Sequence, residues 1–417
     1  MVFALAITLL ALQPQRPQTQ ADDYTRYELL APGSQSFRIF YDVTATTPGA
    51  THYFNAIRAG AEEIVHGAYD RMTGASLQWE VVDGTRARAS GHPTASPQGH
   101  FIMVKLARPV PAGGETRVRI DKTYKDSASY LVRGDTITFT RSLGIKRNSV
   151  VLPAGYELIG VNYPSQVATE ADGRIRVSFM NTSPSAVPYT VRGRKLGAQR
   201  ISAPVNPTPT PAPASTPTPT STPTPPSAPS TRTFNERAFQ DREIVYFLNP
   251  PETHSFRLYH DYTETRPGVD RYLNIVRAGS TVANPSAVAL DTGKPLRVET
   301  LKGEAIRGRG VDIGQPVTPQ TQVVVVWFDP IVQGQSLRLR IEETYTDAAR
   351  YGLLGDQLVW DRGFGRPYNA LLLPAGWYLT SSSIPATVSL SDDGRIRLDY
   401  VNDRPDEIQV YVTGRRR

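Results

Sequence analysis

The feature that most constrains this chain is that two long stretches of it repeat each other. Residues 36–38 (SFR) recur at 255–257, an offset of 219 residues, and residues 152–155 (LPAG) recur at 373–376, an offset of 221. A single shift of two residues over the whole repeat indicates a duplication rather than a chance match. Two copies of this length fold as separate domains and do not form a solenoid.

A segment rich in Pro, Thr and Ser separates the two copies. It holds few apolar side chains to bury, and Pro cannot join a regular ladder of strands. Such a segment favours extended polyproline-II conformations and acts as a disordered, semi-rigid spacer. We therefore predict a signal peptide over 1–21, a first β-sandwich over 22–200, the linker over 201–233 and a second β-sandwich over 234–417.

The N-terminus has the features of an export signal. Residues 2–12 form an apolar run that is too short to anchor a chain in a bilayer. Thr19 and Ala21 then form a small-x-small cleavage site before Asp22. No Lys or Arg precedes the run, so the true start of the chain stays open, and a buried N-terminal strand is the alternative. We predict cleavage before Asp22, a secreted, periplasmic or cell-surface location, and no transmembrane segment in the mature chain.

Apolar and polar side chains alternate throughout both copies. At residues 36–43 the apolar positions are Phe37, Ile39, Tyr41 and Val43, which is the pattern of a half-buried strand. We count roughly ten such strands per copy and predict an all-β fold of two β-sandwiches. Further apolar positions with this alternation are Leu77, Trp79 and Val81, Val118 and Ile120, Ile175, Val177 and Phe179, Leu337, Leu339 and Ile341, and Ile396, Leu398 and Tyr400.

Turns and helices follow from the same pattern. Asp172-Gly173 and Asp393-Gly394 lie between apolar runs and predict tight hairpin turns. A long helix has no clear place in the sequence. The best candidate is a short segment from Ala61 to Tyr69.

Composition limits the chemistry that the chain supports. There is no Cys, so no disulfide, thiol nucleophile or acylated cysteine anchor is available. The formal net charge is +7, a basic excess that suits anionic polymers or lipid headgroups.

Known catalytic motifs are not found. None of the six His residues begins a His-Glu-x-x-His zinc motif, and the Gly-x-Ser-x-Gly and Walker sequences are absent. We interpret each His as a surface residue or as one whose hydrogen bonds are satisfied. Adjacent acids such as Glu342 and Glu343 point to opposite faces of a strand and cannot act together. We expect no catalytic residue, metal or cofactor, and the alternative is a hydrolase whose carboxylate pair comes from distant loops.

Four pairs of arginines lie on strand positions opposite the predicted core. Adjacent pairs would form a cationic sheet face for carboxylate or phosphate groups, and a solvated face that blocks edge aggregation is the alternative. A tryptophan beside the second LPAG turn is a candidate platform for sugar rings. The candidate ligand-binding residues are Arg117, Arg119, Arg174, Arg176, Arg338, Arg340, Arg395, Arg397 and Trp377.

Two further motifs occur in both copies. Residues 141–148 (RSLGIKRN) match 362–369 (RGFGRPYN), and residues 123–126 (TYKD) match 344–347 (TYTD). Polar residues on a loop form a binding site or satisfy the loop's own carbonyl groups, and we favour the second interpretation. The tyrosine of the shorter motif is expected to tuck inward and bond a nearby backbone group.

The strand order and the Leu-Pro-Ala-Gly-Tyr/Trp turn resemble those of secreted bacterial proteins with tandem β-domains. More distantly, each copy is similar to the N-terminal β-domain of zinc aminopeptidases. The catalytic domain with its His-Glu-x-x-His motif is missing here, so the resemblance implies a β-domain fold and no peptidase activity. The Pro/Thr segment is similar in composition to the linkers of secreted bacterial proteins that act on polysaccharides.

These observations favour a non-catalytic, extracytoplasmic binding or scaffold protein for anionic cell-envelope polymers or glycans. A hydrolase with a dispersed carboxylate site acting on envelope polymers is the alternative. We expect no nucleic-acid partner.

Overall fold

The protein is built almost entirely of strands in residues 23–197 and 242–417, which are the residues that the computed structural model describes. This confirms the predicted all-β class. The predicted signal peptide and the predicted linker over 201–233 lie outside the described residues. We call residues 23–197 the first half and residues 242–417 the second half.

The first half also contains one short helix, α1 (Gly84–Ala89). Its strands are β1 (Tyr24–Leu29), β2 (Ser36–Ala45), β3 (His52–Ala56), β4 (Glu62–Asp70), β5 (Ser76–Leu77), β6 (Trp79–Asp83), β7 (His100–Lys105), β8 (Thr116–Lys125), β9 (Tyr130–Arg133), β10 (Thr136–Leu143), β11 (Arg147–Val151), β12 (Tyr156–Thr169), β13 (Ile175–Met180) and β14 (Val187–Lys195).

The second half has the same succession of elements except that it lacks a counterpart of β5, and it has one short α-helix, α2 (Glu304–Gly308). Its strands are β15 (Arg242–Leu248), β16 (Ser255–Glu264), β17 (Arg271–Ile275), β18 (Thr281–Ala289), β19 (Arg297–Lys302), β20 (Gln322–Trp327), β21 (Leu337–Thr346), β22 (Tyr351–Leu354), β23 (Gln357–Phe364), β24 (Tyr368–Leu372), β25 (Trp377–Leu390), β26 (Ile396–Val401) and β27 (Ile408–Arg416).

Each half forms one large sheet and one small sheet. In the first half the strand order of the large sheet is β5-β4-β8-β2-β1-β11-β13-β12-β14-β10-β9, and in the second half it is β18-β21-β16-β15-β24-β26-β25-β27-β23-β22. The pairs β1–β11 and β15–β24 are parallel, while the other pairs within these sheets are antiparallel. The small sheets have the orders β3-β7-β6 and β17-β20-β19.

The small sheets cover one face of each large sheet at its first strands. In the first half, Ile102 and Val104 of β7 pack in one apolar cluster with Val118 and Ile120 of β8. The equivalent cluster of the second half joins Val326 of β20 with the inward residues of β21. The alternation therefore separates a face packed inside a sandwich from a face that points outward.

The predicted turns are confirmed, and two local predictions are wrong. Gly173 and Gly394 have φ of 84° and 74°, as tight turns require. The segment proposed as a helix is strand β4, whose alternation is interrupted by a β-bulge between Val65 and Gly67. Trp79 and Val81 are both exposed and Val82 is buried instead, because the break between β5 and β6 shifts the alternation by one residue.

The two halves meet through equivalent strands. β12 and β25 pair in antiparallel fashion, with Val161 opposite Val388 and Val167 opposite Ser382. The side chain of Thr169 also donates a hydrogen bond of 2.9 Å to the carbonyl oxygen of Thr380. One apolar core continues across this contact from the first half into the second.

Candidate ligand-binding site

The eight arginines singled out in the sequence lie on or beside the large sheets, and each has a carboxylate neighbour. Each carboxylate cancels much of the positive charge of its arginine, so the net charge of the sheet face is lower than the number of arginines suggests. The shortest nitrogen-to-oxygen distances are Arg117–Glu115 2.8 Å, Arg119–Asp42 2.6 Å, Arg174–Asp172 2.6 Å, Arg176–Glu170 2.7 Å, Arg338–Asp291 4.0 Å, Arg340–Asp261 2.7 Å, Arg395–Asp393 2.6 Å and Arg397–Asp399 2.7 Å.

Trp377 does not lie where the sequence suggested. Its side chain is only 3% exposed and belongs to the core, with the guanidinium of Arg416 5.1 Å from its ring centre. A buried indole offers no free face to a sugar ring. The position after the LPAG turn therefore serves packing in the second half.

The outward face of the first large sheet is continuous across five strands. The register places Arg119 of β8 opposite Asp42 of β2, which lies opposite Tyr24 of β1. Tyr24 in turn lies opposite Arg147 of β11, and Arg147 lies opposite Met180 of β13. Residues that lie directly opposite one another share a face, so strands far apart in sequence contribute to one surface.

A groove of about 940 Å³ runs over this face. Two of the predicted arginines, Arg117 and Arg176, line it together with Arg71 and Arg147. Asp42 is the one carboxylate among the described residues that line the groove. Arg117 and Arg176 are also paired with Glu115 and Glu170, which lie outside the lining, so their charge is partly balanced. Guanidinium donors nevertheless outnumber carboxylates in the lining itself, which suits an anionic ligand.

The groove also has apolar and aromatic walls. Tyr163, Phe179 and Met180 line it, and Met180 is 60% exposed. Pro164 of β12 and Pro385 of β25, which occupy equivalent places in the two halves, lie at the same groove. The contact between the halves therefore completes one wall.

Asp42 holds the cationic wall in place. It accepts two hydrogen bonds of 2.6 Å from Arg119, and Arg71 Nε lies 3.4 Å from its Oδ2. A bidentate pair fixes the plane of the guanidinium as well as its position. The equivalent pair in the second half, Arg340 with Asp261, has the same bidentate geometry.

The two shared motifs meet in a buried ion pair. Arg141 Nη1 lies 3.4 Å from Asp126 Oδ2, and Arg362 Nη1 lies 3.4 Å from Asp347 Oδ2. Asn369 donates 2.7 Å to the carbonyl oxygen of Arg366, and Asn148 makes the same bond in the first half. In both halves, therefore, the asparagine of the longer motif satisfies a carbonyl group of its own loop.

Both tyrosines of the shorter motif tuck inward as predicted, since Tyr124 is 2% and Tyr345 3% exposed. Tyr124 accepts 3.0 Å from the side chain of Lys122 and is also hydrogen-bonded by the backbone of Arg58. Tyr345 differs from the prediction, because its hydroxyl accepts 3.1 Å from the side chain of Asn274. A further backbone bond is made by Tyr130, which donates 3.1 Å to the carbonyl oxygen of Leu30.

Sequence reasoning was wrong about one histidine. His260 is 2% exposed, and its Nε2 has no hydrogen-bond partner among the described residues. It is therefore neither a surface residue nor a satisfied one. The one sequence signal for its burial was its place in the alternation of β16. That signal could be interpreted only once the position of the small sheet was known.

Neither membrane spans nor metal clusters are found within residues 23–197 and 242–417. No helix there is both long and apolar enough to cross a membrane. No group of three or more His, Cys, Asp or Glu side chains there is arranged to hold a metal ion.

No protein-family model and no curated protein matches the chain. Among solved structures, three with low sequence identity show a likeness. A candidate protease from Parabacteroides distasonis is 16% identical with a TM-score of 0.26, covering 41% of this chain and 39% of that one. An aminopeptidase N family protein from Idiomarina loihiensis is 10% identical with a TM-score of 0.25, covering 41% and 29%. A collagen adhesin from S. aureus is 8% identical with a TM-score of 0.18, covering 81% of both chains. The chain thus spans less than half the length of the first two.

Proposed function

We propose that the protein is a non-catalytic, extracytoplasmic binding or scaffold protein whose ligand is an anionic glycan or another anionic polymer of the cell envelope. The observation that supports this is the groove of about 940 Å³ on the outward sheet face, with four arginines and a single carboxylate in its lining. Guanidinium groups bind carboxylate, sulfate and phosphate groups with directed hydrogen bonds.

The shape and walls of the groove suit a polymer better than a small anion. An open sheet face leaves both ends of a bound chain free. The rings of Tyr24 and Tyr163 lie in the same lining and offer apolar contact to sugar rings. The ligand class therefore combines negative charge with a partly apolar ring surface.

The hydrolase alternative gains no support from this groove. A glycosidase needs two carboxyl groups in one cleft, one as acid and one as base or nucleophile. Asp42 is already bound by Arg119 on two hydrogen bonds and contacted by Arg71, and no second carboxylate residue is in the described lining.

The test compares dextran sulfate with uncharged dextran, because the two share a backbone and differ in charge. The full chain should bind dextran sulfate, and binding should weaken as salt rises, since exposed charges act over about 8 Å at physiological ionic strength. Replacing Arg117 and Arg176 together by Gln should weaken binding about tenfold. Both side chains point away from the core, so the melting temperature should not change by more than a few degrees.

The matched control uses the equivalent arginines of the second half. Arg338→Gln with Arg397→Gln removes the same two charges at positions outside the groove lining. Binding should then stay within about twofold of wild type. Equal losses in both double variants would show that the effect is one of overall charge, and the groove would not be the site.

A further inference from the structure

A polar cavity lies inside the sandwich of the second half, on the face opposite the outward arginines. Its volume is about 560 Å³, within the range of small-molecule sites. Its lining comes from the inward face of β15, β16 and β21, from β17, and from the loop between β23 and β24. Two carboxylates, one histidine and six arginines share this lining, a composition that is unusual for the interior of a sandwich.

His260 presents an unused hydrogen-bond donor to the cavity. The guanidinium of Arg366 lies 3.4 Å from its Nδ1. Because a guanidinium only donates, Nδ1 accepts and the proton of the neutral ring lies on Nε2, which has no partner among the described residues. Burial, followed by the charges of Arg366 and Arg242, holds the pKa of His260 well below its usual range.

Glu343 presents an unused acceptor to the same cavity. It is 1% exposed, and its Oε2 accepts 2.7 Å from Asn274, whereas Oε1 has no partner in the described parts of the chain. A buried polar atom without a partner destabilises the fold, because it has lost its hydrogen bonds to water. His260 and Glu343 therefore both need partners that a bound molecule would supply.

The cationic side of the cavity is built on Arg366 and Arg242. Arg366 donates 3.1 Å to the hydroxyl of Tyr272. Arg242 is 8% exposed and lies over the ring of Tyr262 at 4.5 Å. Tyrosine rings thus surround the charges.

The first half shows that the fold does not need this arrangement. At the positions of His260, Glu343 and Arg366 it has Tyr41, Lys122 and Ile145. There the ammonium group of the buried Lys122 donates hydrogen bonds to Asn55 and to Tyr124, so it has partners within the sandwich. A cluster that occurs in one copy and is left incomplete there points to a ligand rather than to folding.

We propose that this cavity binds a small hydroxylated carboxylate of the hexuronic acid type. Its carboxylate would lie against Arg366, Arg242 and the Nε2–H of His260. Its hydroxyl groups would pair with Oε1 of Glu343, and its ring would contact the tyrosines.

Other small ligands match the lining less well. A bare sulfate or phosphate leaves Oε1 of Glu343 without a donor. A neutral sugar gives the buried guanidinium of Arg366 no anionic partner, and an isolated cation is repelled by the arginines of the lining. Only a molecule with both an anionic group and hydroxyl donors pairs with both sides of the cavity. This inference goes beyond the groove of the first half and does not depend on it.

The experiment titrates the full chain with D-glucuronate, D-glucose and sodium sulfate in a calorimeter. Glucuronate should bind at least tenfold more tightly than either glucose or sulfate. His260→Tyr and Arg366→Ile install the residues that the first half has at these places, so both variants should fold, as circular dichroism would verify. Each should weaken glucuronate binding at least tenfold.

The controls separate this site from the groove. Arg86→Gln removes one exposed arginine of the first half that lines neither the cavity nor the groove, and the variant with Arg117→Gln and Arg176→Gln changes the groove alone. Both should bind glucuronate like wild type. No binding of glucuronate, binding no tighter than that of sulfate, or unchanged binding in folded Arg366→Ile would each overturn the proposal. Loss of glucuronate binding in the groove variant would also overturn it.

Discussion

Single buried charges distinguish the two halves at the residue scale. Lys122 and Glu343 occupy equivalent inward positions on β8 and β21, and each is bonded to an equivalent asparagine, Asn55 or Asn274. Burial is the main cause of both shifts, lowering the pKa of Lys122 to about 8 and raising that of Glu343 to about 7. The same backbone position thus holds a basic group in one half and an acidic group in the other, and burial shifts their pKa values in opposite directions.

The raised pKa of Glu343 predicts a specific pH dependence. Folding moves the pKa from 4.5 to about 7, so the native state binds more protons than the unfolded state between these values. The stability that this group contributes is present below about pH 4.5 and is lost as pH rises through 7. Glu343→Gln should remove this loss, which amounts to roughly 3 kcal/mol.

The measurement is urea unfolding of the full chain at pH 5 and at pH 8.5. Relative to wild type, Glu343→Gln should be more stable against unfolding at pH 8.5 than it is at pH 5. His260, Arg366 and Tyr345 also line the cavity, but they are present in both proteins, so the difference isolates Glu343. Parallel pH profiles for the two proteins would contradict the prediction.

At the scale of elements, the pairing of β12 with β25 is reinforced by a buried carboxylate. Glu157 is 1% exposed and accepts 2.7 Å from Arg194 of its own half and 3.0 Å from Arg417 of the other half. Removing the carboxylate would take a charged hydrogen-bond acceptor from two partly buried guanidinium groups, those of Arg194 and Arg417. The expected loss is about 3 kcal/mol for Glu157→Gln, the scale found when one partner of a buried pair is removed.

An exposed pair provides the control for Glu157. Arg404 and Asp406 lie 2.6 Å apart with both side chains about 60% exposed, so Asp406→Asn should cost less than about 1 kcal/mol. Chemical denaturation of the two variants compares these costs directly. Similar losses in both would show that Glu157 does not bind the halves together.

At the scale of the whole molecule, each half has its own large sheet and small sheet, yet one apolar core continues between them. Residues 22–200 and 234–417, expressed separately, should each be rich in strands and melt cooperatively. Each should also be less stable than the full chain, because β12 and β25 lose a partner strand.

Mixing the two separate halves tests this further. They should associate in sedimentation experiments, and Glu157→Gln in the first half should weaken that association. A half that is unfolded alone would contradict the prediction that each is a domain. Stable halves that never associate would contradict the strand pairing.

The sequence by itself determined the all-β class, the turns and which face of most strands points inward. It could do so because side-chain direction alternates along a strand. The neighbouring residues alone therefore indicate that Phe37, Ile120 and Leu398 are buried. The same logic failed at Trp79 and at β4, where a break and a bulge shift the alternation by one residue.

Only the tertiary structure decided which polar side chains meet. Asp42 and Arg119 pair although they are 77 residues apart, and His260 and Arg366 meet across 106. Such contacts depend on strand register and on how closely the small sheet covers the large one, neither of which a local pattern encodes. For the same reason, the burial of Trp377, the groove between β8 and β12, and the cavity behind Glu343 became visible only in the folded molecule.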